Sequence, residues 1–329
     1  MINNLKSLGL IGKNQLLIGQ LRKNKKWLGK ILRYVEVETH SYCNRICSFC
    51  PNSSFDRRGQ REYFPIPLYI KILKELSEVQ YSGWFSFVRY MEPLADNKIF
   101  DRVREARAYL SNAHLTINTN GDYFTQDTLE HLHESGLSEL NIARYIDSPA
   151  IWSIDRATKM CKNFIEKYQL EATPDMRKEG YLSYNVHYKK MKVCLYSFDY
   201  VRRHNARGGA IPVEKFERKS PCIYPFTGLF FDSNGECLPC CNMRSDNPAH
   251  LPFSYGNIAQ SSLIDLFLSK VAHNLRKELS WFSDKKPSPC QSCALQDIKS
   301  SSLTQTVWNS LQLAFQQDEP QEKASPEIQ

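Results

Sequence analysis

The 329 residues predict an α/β fold: a parallel sheet or barrel over residues 33–212, followed by a small cysteine-rich α+β module over 213–300. Two observations lead there. From residue 33 onward, short β-branched or aromatic stretches alternate with amphipathic ones, and right-handed βαβ units join parallel strands in that way. Past residue 220 the pattern changes to a hairpin signal, a long amphipathic segment and six cysteines.

Residues 1–32 precede this scaffold. Leu17, Leu21, Trp27, Leu28, Ile31 and Leu32 recur at helical spacing, and residues 1–34 hold eight basic side chains and no acid, which describes a basic amphipathic helix. RYVEVETH (33–40) alternates and reads as a strand ending where a cysteine loop begins. PLYIKILKELSEV (67–79) puts Ile70, Leu73, Leu76 and Val79 on one face behind a proline, as a helix does. WFSFVRY (84–90), LTINTN (115–120) and SELNIARYI (138–146) read as strands, with KIFDRVREARAYL (98–110) and TQDTLEHLHESG (125–136) as the helices between them. Residues 150–180 read as helical and polar, VHYKKMKVCLYSF (186–198) as one more strand and its exit, and HNARGGAIPV (204–213) as the boundary between modules. LFFDSNGECLPCC (229–241) reads as a hairpin turning at Asn-Gly, SSLIDLFLSKVAHNLRKEL (261–279) as one long helix, and the polar 301–329 as a disordered tail.

Composition narrows the class. A hydrophobic share of 42% supports a real core, and no run reaches the roughly 18 apolar residues of a membrane span. LGLIG is too short for a signal peptide's apolar region, and the eleven cysteines are grouped as metal ligands are, so a reducing cytoplasm is expected. Outside the basic segment acids and bases balance. Without aromatics interleaved among the basic residues, nucleic acid is not an expected partner. The basic helix suits an acidic one.

Chemistry concentrates in HSYCNRICSFCPN (40–52), where Cys43, Cys47 and Cys50 stand within one loop after the first strand. Three thiolates grip one face of a metal centre and cannot complete a tetrahedral zinc site, so one position is open. This C-x3-C-x2-C loop resembles the cluster motif of the radical S-adenosylmethionine (SAM) superfamily, whose members are partial (β/α)6 barrels. The resemblance implies that the three cysteines hold a 4Fe–4S cluster and that SAM takes the fourth iron. Reductive cleavage then gives a 5′-deoxyadenosyl radical that abstracts hydrogen from substrate. RYMEPLAD (89–96) resembles the family's Gly-Glu-Pro motif through Glu92 and Pro93, with Met91 in place of the glycine. By the same resemblance Glu92 would accept a hydrogen bond from the SAM ammonium, with Tyr42, Phe49, Asn118, Asn120 and Arg144 as further cofactor contacts.

Downstream, Cys237, Cys240, Cys290 and Cys293 by themselves make a fair zinc-ribbon set. The fuller layout resembles the SPASM or twitch extension: Cys222, the Asn234-Gly235 turn, Cys240, Gly256-Asn257-Ile258, an amphipathic segment, then Cys290 and Cys293. That resemblance implies an auxiliary 4Fe–4S cluster on Cys222, Cys240, Cys290 and Cys293, with Cys237 as the substitute ligand. Two clusters and SAM are thus the expected cofactors, with a flavodoxin- or ferredoxin-type reductant. Members with this extension modify ribosomally made peptides or oxidise and epimerise sugars and aminocyclitols. The basic helix favours a peptide with an acidic leader, presented by a separate recognition protein. A dehydrogenase or epimerase of an amino sugar or aminocyclitol is the alternative. A zinc-stabilised binding protein with a barrel remnant is the non-enzymatic one.

Overall fold

The computed structural model describes residues 2–21, 24–59, 61–146, 150–200, 206–212 and 216–295. The polar tail and residues 204, 205 and 213 at the ends of the expected boundary segment lie outside these residues.

Four strands alternate with helices as their patterning requires. β1 (Tyr34–Val37), β2 (Trp84–Phe87), β3 (His114–Thr119) and β4 (Glu139–Ala143) run parallel side by side. Helices α3 (Ile66–Glu78), α4 (Ile99–Tyr109), α5 (Thr128–Glu134) and α6 (Ile154–Lys167) succeed them in turn. Val35, Val37, Phe85, Phe87, Leu115, Ile117, Leu140 and Ile142 are fully buried on one face, in a core with Ile72, Leu73, Val103, Leu132 and Ala157 of those helices. Strand pleat sends the alternate residues to the other face. There Tyr34, Glu36, Trp84, Ser86, His114, Asn118 and Asn141 keep partial or full exposure. This open, polar face is the inner wall of the fold.

After α6 the chain departs from the expected pattern. Residues 150–180 are not helical throughout: β5 (Ala172–Lys178) follows α6 as an exposed edge strand, paired with β6 (Tyr181–Tyr188). Its polar side chains hide the strand from a periodicity reading, and Pro174, at a register shift, is tolerated because the strand is at the edge. The expected single strand at 186–198 is the end of β6, a turn at Lys189 and Lys190, and β7 (Met191–Phe198). Lys189 takes φ 49°, the left-handed conformation a two-residue hairpin demands. β7 then joins β4 in parallel.

One sheet runs through both modules. β8 (Gly228–Phe231) pairs in parallel with the far edge of β1, and the hairpin continues through β9 (Glu236–Leu238) to β10 (Gly256–Asn257). The order is β10-β9-β8-β1-β2-β3-β4-β7-β6-β5, so six strands from β8 to β7 are mutually parallel. The sixth comes from the cysteine-rich segment.

Helices complete the frame. α1 (Ile2–Leu21) and α2 (Lys26–Ile31) replace the single expected helix, and Asn24 accepts from the Lys26 amide at 3.0 Å at the break. Gly29 lets α2 lie on the end of α3, since a Cβ there would stand 2.0 Å from the Val79 carbonyl oxygen. α1 packs Ile11 against Ile223 and Phe226, beside α7 (Tyr224–Thr227). The expected long helix at 261–279 divides into α8 (Leu263–Phe267) and α9 (Lys270–Leu279), because Ser269 turns the chain and caps α9 through the Ala272 amide. A final turn, α10 (Ser288–Gln291), carries Cys290. No described helix is long and apolar enough to cross a membrane.

Candidate active site

The cysteine loop leaves β1 at its C-terminal end, where parallel scaffolds collect their chemistry. Cys47 is buried, Cys43 and Cys50 are half-buried, and the Cys50 amide donates to the Cys47 carbonyl at 2.9 Å. Burial pushes the Cys43 thiol up to about 11, so a thiolate there needs a neighbouring cation or metal to hold it. The loop is bolted to the exit of β3. Asn44 and Arg45 donate to Asp122 at 2.8 and 2.6 Å, and Asn120 donates to the Asn44 side-chain oxygen at 2.8 Å.

Glu92 is the hub of this junction. Its amide donates to the Tyr42 carbonyl at 2.9 Å, joining the Glu-Pro segment to the cysteine loop. Its carboxylate accepts from the Asn120 amide at 2.8 Å, the Leu94 amide at 3.1 Å and the Thr119 hydroxyl. Burial raises its carboxyl to about 7 against those three donors. Pro93 starts a short 3-10 turn beneath it. Met91, in the place of the motif glycine, is buried with its sulfur 3.1 Å from the Thr39 amide.

The other expected contacts take distinct positions. Asn118 is exposed on the inner wall opposite Asn141, whereas Asn120 is buried in the junction. Arg144 donates to the Asn120 carbonyl at 2.6 Å and lies 3.4 Å from Asp122, so its charge is committed to the β3 exit. The Tyr42 hydroxyl meets that of Tyr123 at 3.0 Å. Phe49 stacks on Tyr200, ring centres 3.6 Å apart, with Tyr145 edge-on at 5.3 Å. HYKKMK (187–192) lies at the turn before β7, the end of the sheet away from the cysteine loop.

Cys222, Cys240, Cys290 and Cys293 line one cavity, together with Arg218, Tyr224, Asn242, Met243, Leu275 and Leu279. Cys237 is not among its walls: it is fully buried in β9, paired with Phe231 and Gly256. Cys241 also lies outside it, beneath the Tyr90 hydroxyl, which donates to its carbonyl at 2.9 Å. Burial raises the Cys240 and Cys290 thiols, and neighbouring thiols raise them further, Cys241 foremost for Cys240 and Cys222 for Cys290. No three His, Cys, Asp or Glu side chains among the described residues converge on a single-ion position.

Sequence reading missed the charge network that joins the two cysteine groups, in which Glu38, Arg57, Asp232 and Arg244 are buried and Asp246 is exposed. Glu38 accepts from Arg57 at 2.5 Å and from the Ser233 amide at 3.2 Å. Arg57 reaches Asp246 at 2.8 Å; Arg244 binds the same carboxylate and donates to Asn52 at 3.1 Å. Burial works against Asp246, but Arg244 and Arg57 hold it down to about 2. Arg89, at φ 107°, donates to Asp232 at 2.6 Å. Strained backbone of this kind persists where surroundings impose it. The only sequence signal was charge beside cysteine motifs, which does not separate buried from solvated residues.

The profile of the radical SAM superfamily matches residues 37–163, and that of the SPASM iron-sulfur cluster-binding domain matches 222–294. The chain carries a radical SAM domain followed by a SPASM domain. Its SPASM segment spans the cavity of four cysteines. The chain is 25% identical over 268 residues to the S-adenosyl-L-methionine-dependent 2-deoxy-scyllo-inosamine dehydrogenase of Niallia circulans, covering 81% of this chain and 94% of that one. Among solved structures it resembles BtrN in complex with AdoMet and 2-DOIA: TM-score 0.59, 22% identity, 82% of this chain and 96% of that one. BtrN in an open conformation gives a TM-score of 0.51 at 21% identity, over 83% and 93% of the two chains. As a radical SAM protein with a SPASM domain it is an enzyme of SAM and iron–sulfur chemistry. The donor sets fit: three cysteines in one loop, and four around one cavity where Asn242 donates toward the Cys293 sulfur at 3.4 Å.

Proposed function

We propose that this enzyme dehydrogenates a small, polyhydroxylated alicyclic alcohol bearing an amine, as an aminocyclitol or amino sugar does. The observation that carries this reading is the inner wall. Glu36, Ser86, Thr116, Asn118 and Asn141 form a polar band below the cysteine loop. The Glu36 Oε2 atom is buried without a hydrogen-bond partner, 4.0 Å from Arg89. Oε2 faces the Arg89 guanidinium, and the partly exposed remainder of the Glu36 carboxylate is what a substrate hydroxyl or ammonium would meet. Likeness to the inosamine dehydrogenase along most of both chains supports the same substrate class.

Peptide modification has less support. The basic α2 enters β1 from one end and the cysteine loop leaves by the other, so an acidic leader on that helix would dock away from the site. A small acidic reductant of the flavodoxin or ferredoxin type is the proposed protein partner.

Cys43, Cys47 and Cys50 would hold the cluster that binds SAM, and Cys222, Cys240, Cys290 and Cys293 a second 4Fe–4S cluster. When bound, these groups supply a hydrogen-abstracting 5′-deoxyadenosyl radical and a one-electron acceptor. The chain's residues position and enclose. Glu92, Thr119 and Asn120 fix the β3 exit against the cysteine loop. Phe49, Tyr145 and Tyr200 form an apolar wall beside it. Glu36 receives an O–H or N–H of substrate.

The test uses reconstituted enzyme, SAM, reductant and 2-deoxy-scyllo-inosamine deuterated at its carbinol carbons. Ketone and deuterated 5′-deoxyadenosine are expected. Deuterium transfer from neither this compound nor related amino sugars, with transfer from an acidic peptide instead, would replace this reading by the peptide one.

A further inference from the structure

Arg218 is not part of any cysteine motif, yet it sits at the cavity of four cysteines. It is 2% exposed. Its guanidinium donates on one side to Ser220 and Pro221 carbonyls, at 3.2 and 2.7 Å, just before Cys222. On the other it donates to the Cys293 and Leu295 carbonyls, at 3.0 and 2.7 Å. Its own amide donates to the Gln291 carbonyl at 2.7 Å, between Cys290 and Cys293. One side chain therefore ties together two ligand segments about seventy residues apart in sequence.

Carbonyl acceptors leave the guanidinium's charge in place, and that charge does not titrate in the working range. Four thiolates around a cluster carry net negative charge, and one-electron reduction adds more. A fixed cation beside such a site favours its reduced form, because field and hydrogen bonding tune cluster potentials.

We propose that Arg218 is a positioning residue of the auxiliary site, clasping the Cys222 and Cys290–Cys293 segments together and raising the site's reduction potential. The inference rests on the reading that these four cysteines hold a 4Fe–4S cluster. Lysine keeps the charge and loses the planar fork; glutamine keeps some hydrogen bonding and loses the charge. The two functions therefore separate.

The experiment is an EPR-monitored redox titration, with iron and sulfide counts, on full-length reconstituted wild type, R218K and R218Q. R218Q should shift the auxiliary signal to more negative potential, while R218K stays near wild type. Both should lose auxiliary iron faster to a chelator, with the SAM-binding cluster retained. An auxiliary potential unmoved in R218Q, with two clusters present, overturns this inference alone. Zinc, or only one cluster, in the wild type overturns the auxiliary-cluster reading and the inference with it. If R218Q does not retain the cluster, a normal potential and normal chelator resistance in R218K would overturn the clasp.

Discussion

At the scale of single residues, the site depends on carboxylates and thiols that burial holds away from their ordinary protonation. Glu92 is the clearest case, with its carboxyl raised by burial to about 7. A carboxyl raised above its unfolded value stabilises the fold fully below about pH 4.5. That contribution is lost as pH rises through about 7, because the native state binds more protons across this window. E92Q should therefore flatten the stability of the apoprotein between those limits by on the order of 3 kcal/mol, read from urea denaturation at several pH values. Among the thiols, position in the cavity discriminates. C240A should lose about four of about eight irons on reconstitution, as removal of a cluster ligand does, and C237A should keep them. Equal losses in both would return Cys237 to the ligand set.

At the scale of elements, local signals are sharp where chain chemistry is local. Ser262 and Asp265 form a reciprocal cap on α8, and Ser269 caps α9. S269A should cost about 1 kcal/mol in thermal or urea unfolding, the usual worth of an N-cap. Elements held by long-range polar contacts are a different matter. Arg244 is fully buried, bonded to Asp246 and Asn52 and over the Tyr90 ring at 4.7 Å. R244A leaves Asp246 with Arg57 as its remaining described partner. A loss of about 1–3 kcal/mol is expected, from the hydrogen bonds and packing of the buried guanidinium, since Asp246 is 38% exposed and keeps Arg57. R244A with unchanged stability would show that this network is solvated in solution.

At the scale of the whole molecule, the two modules share a sheet. β8 hydrogen-bonds along the whole of β1, from Tyr34 opposite Gly228 to Val37 opposite Phe231. Phe230 and Phe231 are fully buried in the same core as Phe85 and Phe87. Ending the chain at residue 216 would bare the β1 edge and remove those side chains, and exposed edges of this kind aggregate. Such a truncation should be insoluble, and the full chain should unfold in a single urea transition by both fluorescence and circular dichroism. A soluble, cooperatively folding truncation would show that residues 33–212 fold independently.

Sequence alone carried the resemblance to the radical SAM and SPASM domains: C-x3-C-x2-C and Glu92-Pro93 are short local motifs, and the later cysteines recur at the extension's spacing. It also located β1 to β4 and α3 to α5 within a few residues, because their buried faces repeat with the helical or strand period. Two features depended on tertiary structure, each for a physical reason. β5 is a polar edge strand without alternation, held by pairing with β6. β8 belongs to the sheet of β1 because of a contact across almost two hundred residues, which periodicity does not encode. The preference for Cys240 over Cys237 was already in the family spacing, and its physical reason is tertiary: β9 carries Cys237 into the sheet while the residues after it bring Cys240 to the cavity. The inner wall with Glu36, and the clasp at Arg218, are likewise set by which residues packing brings face to face.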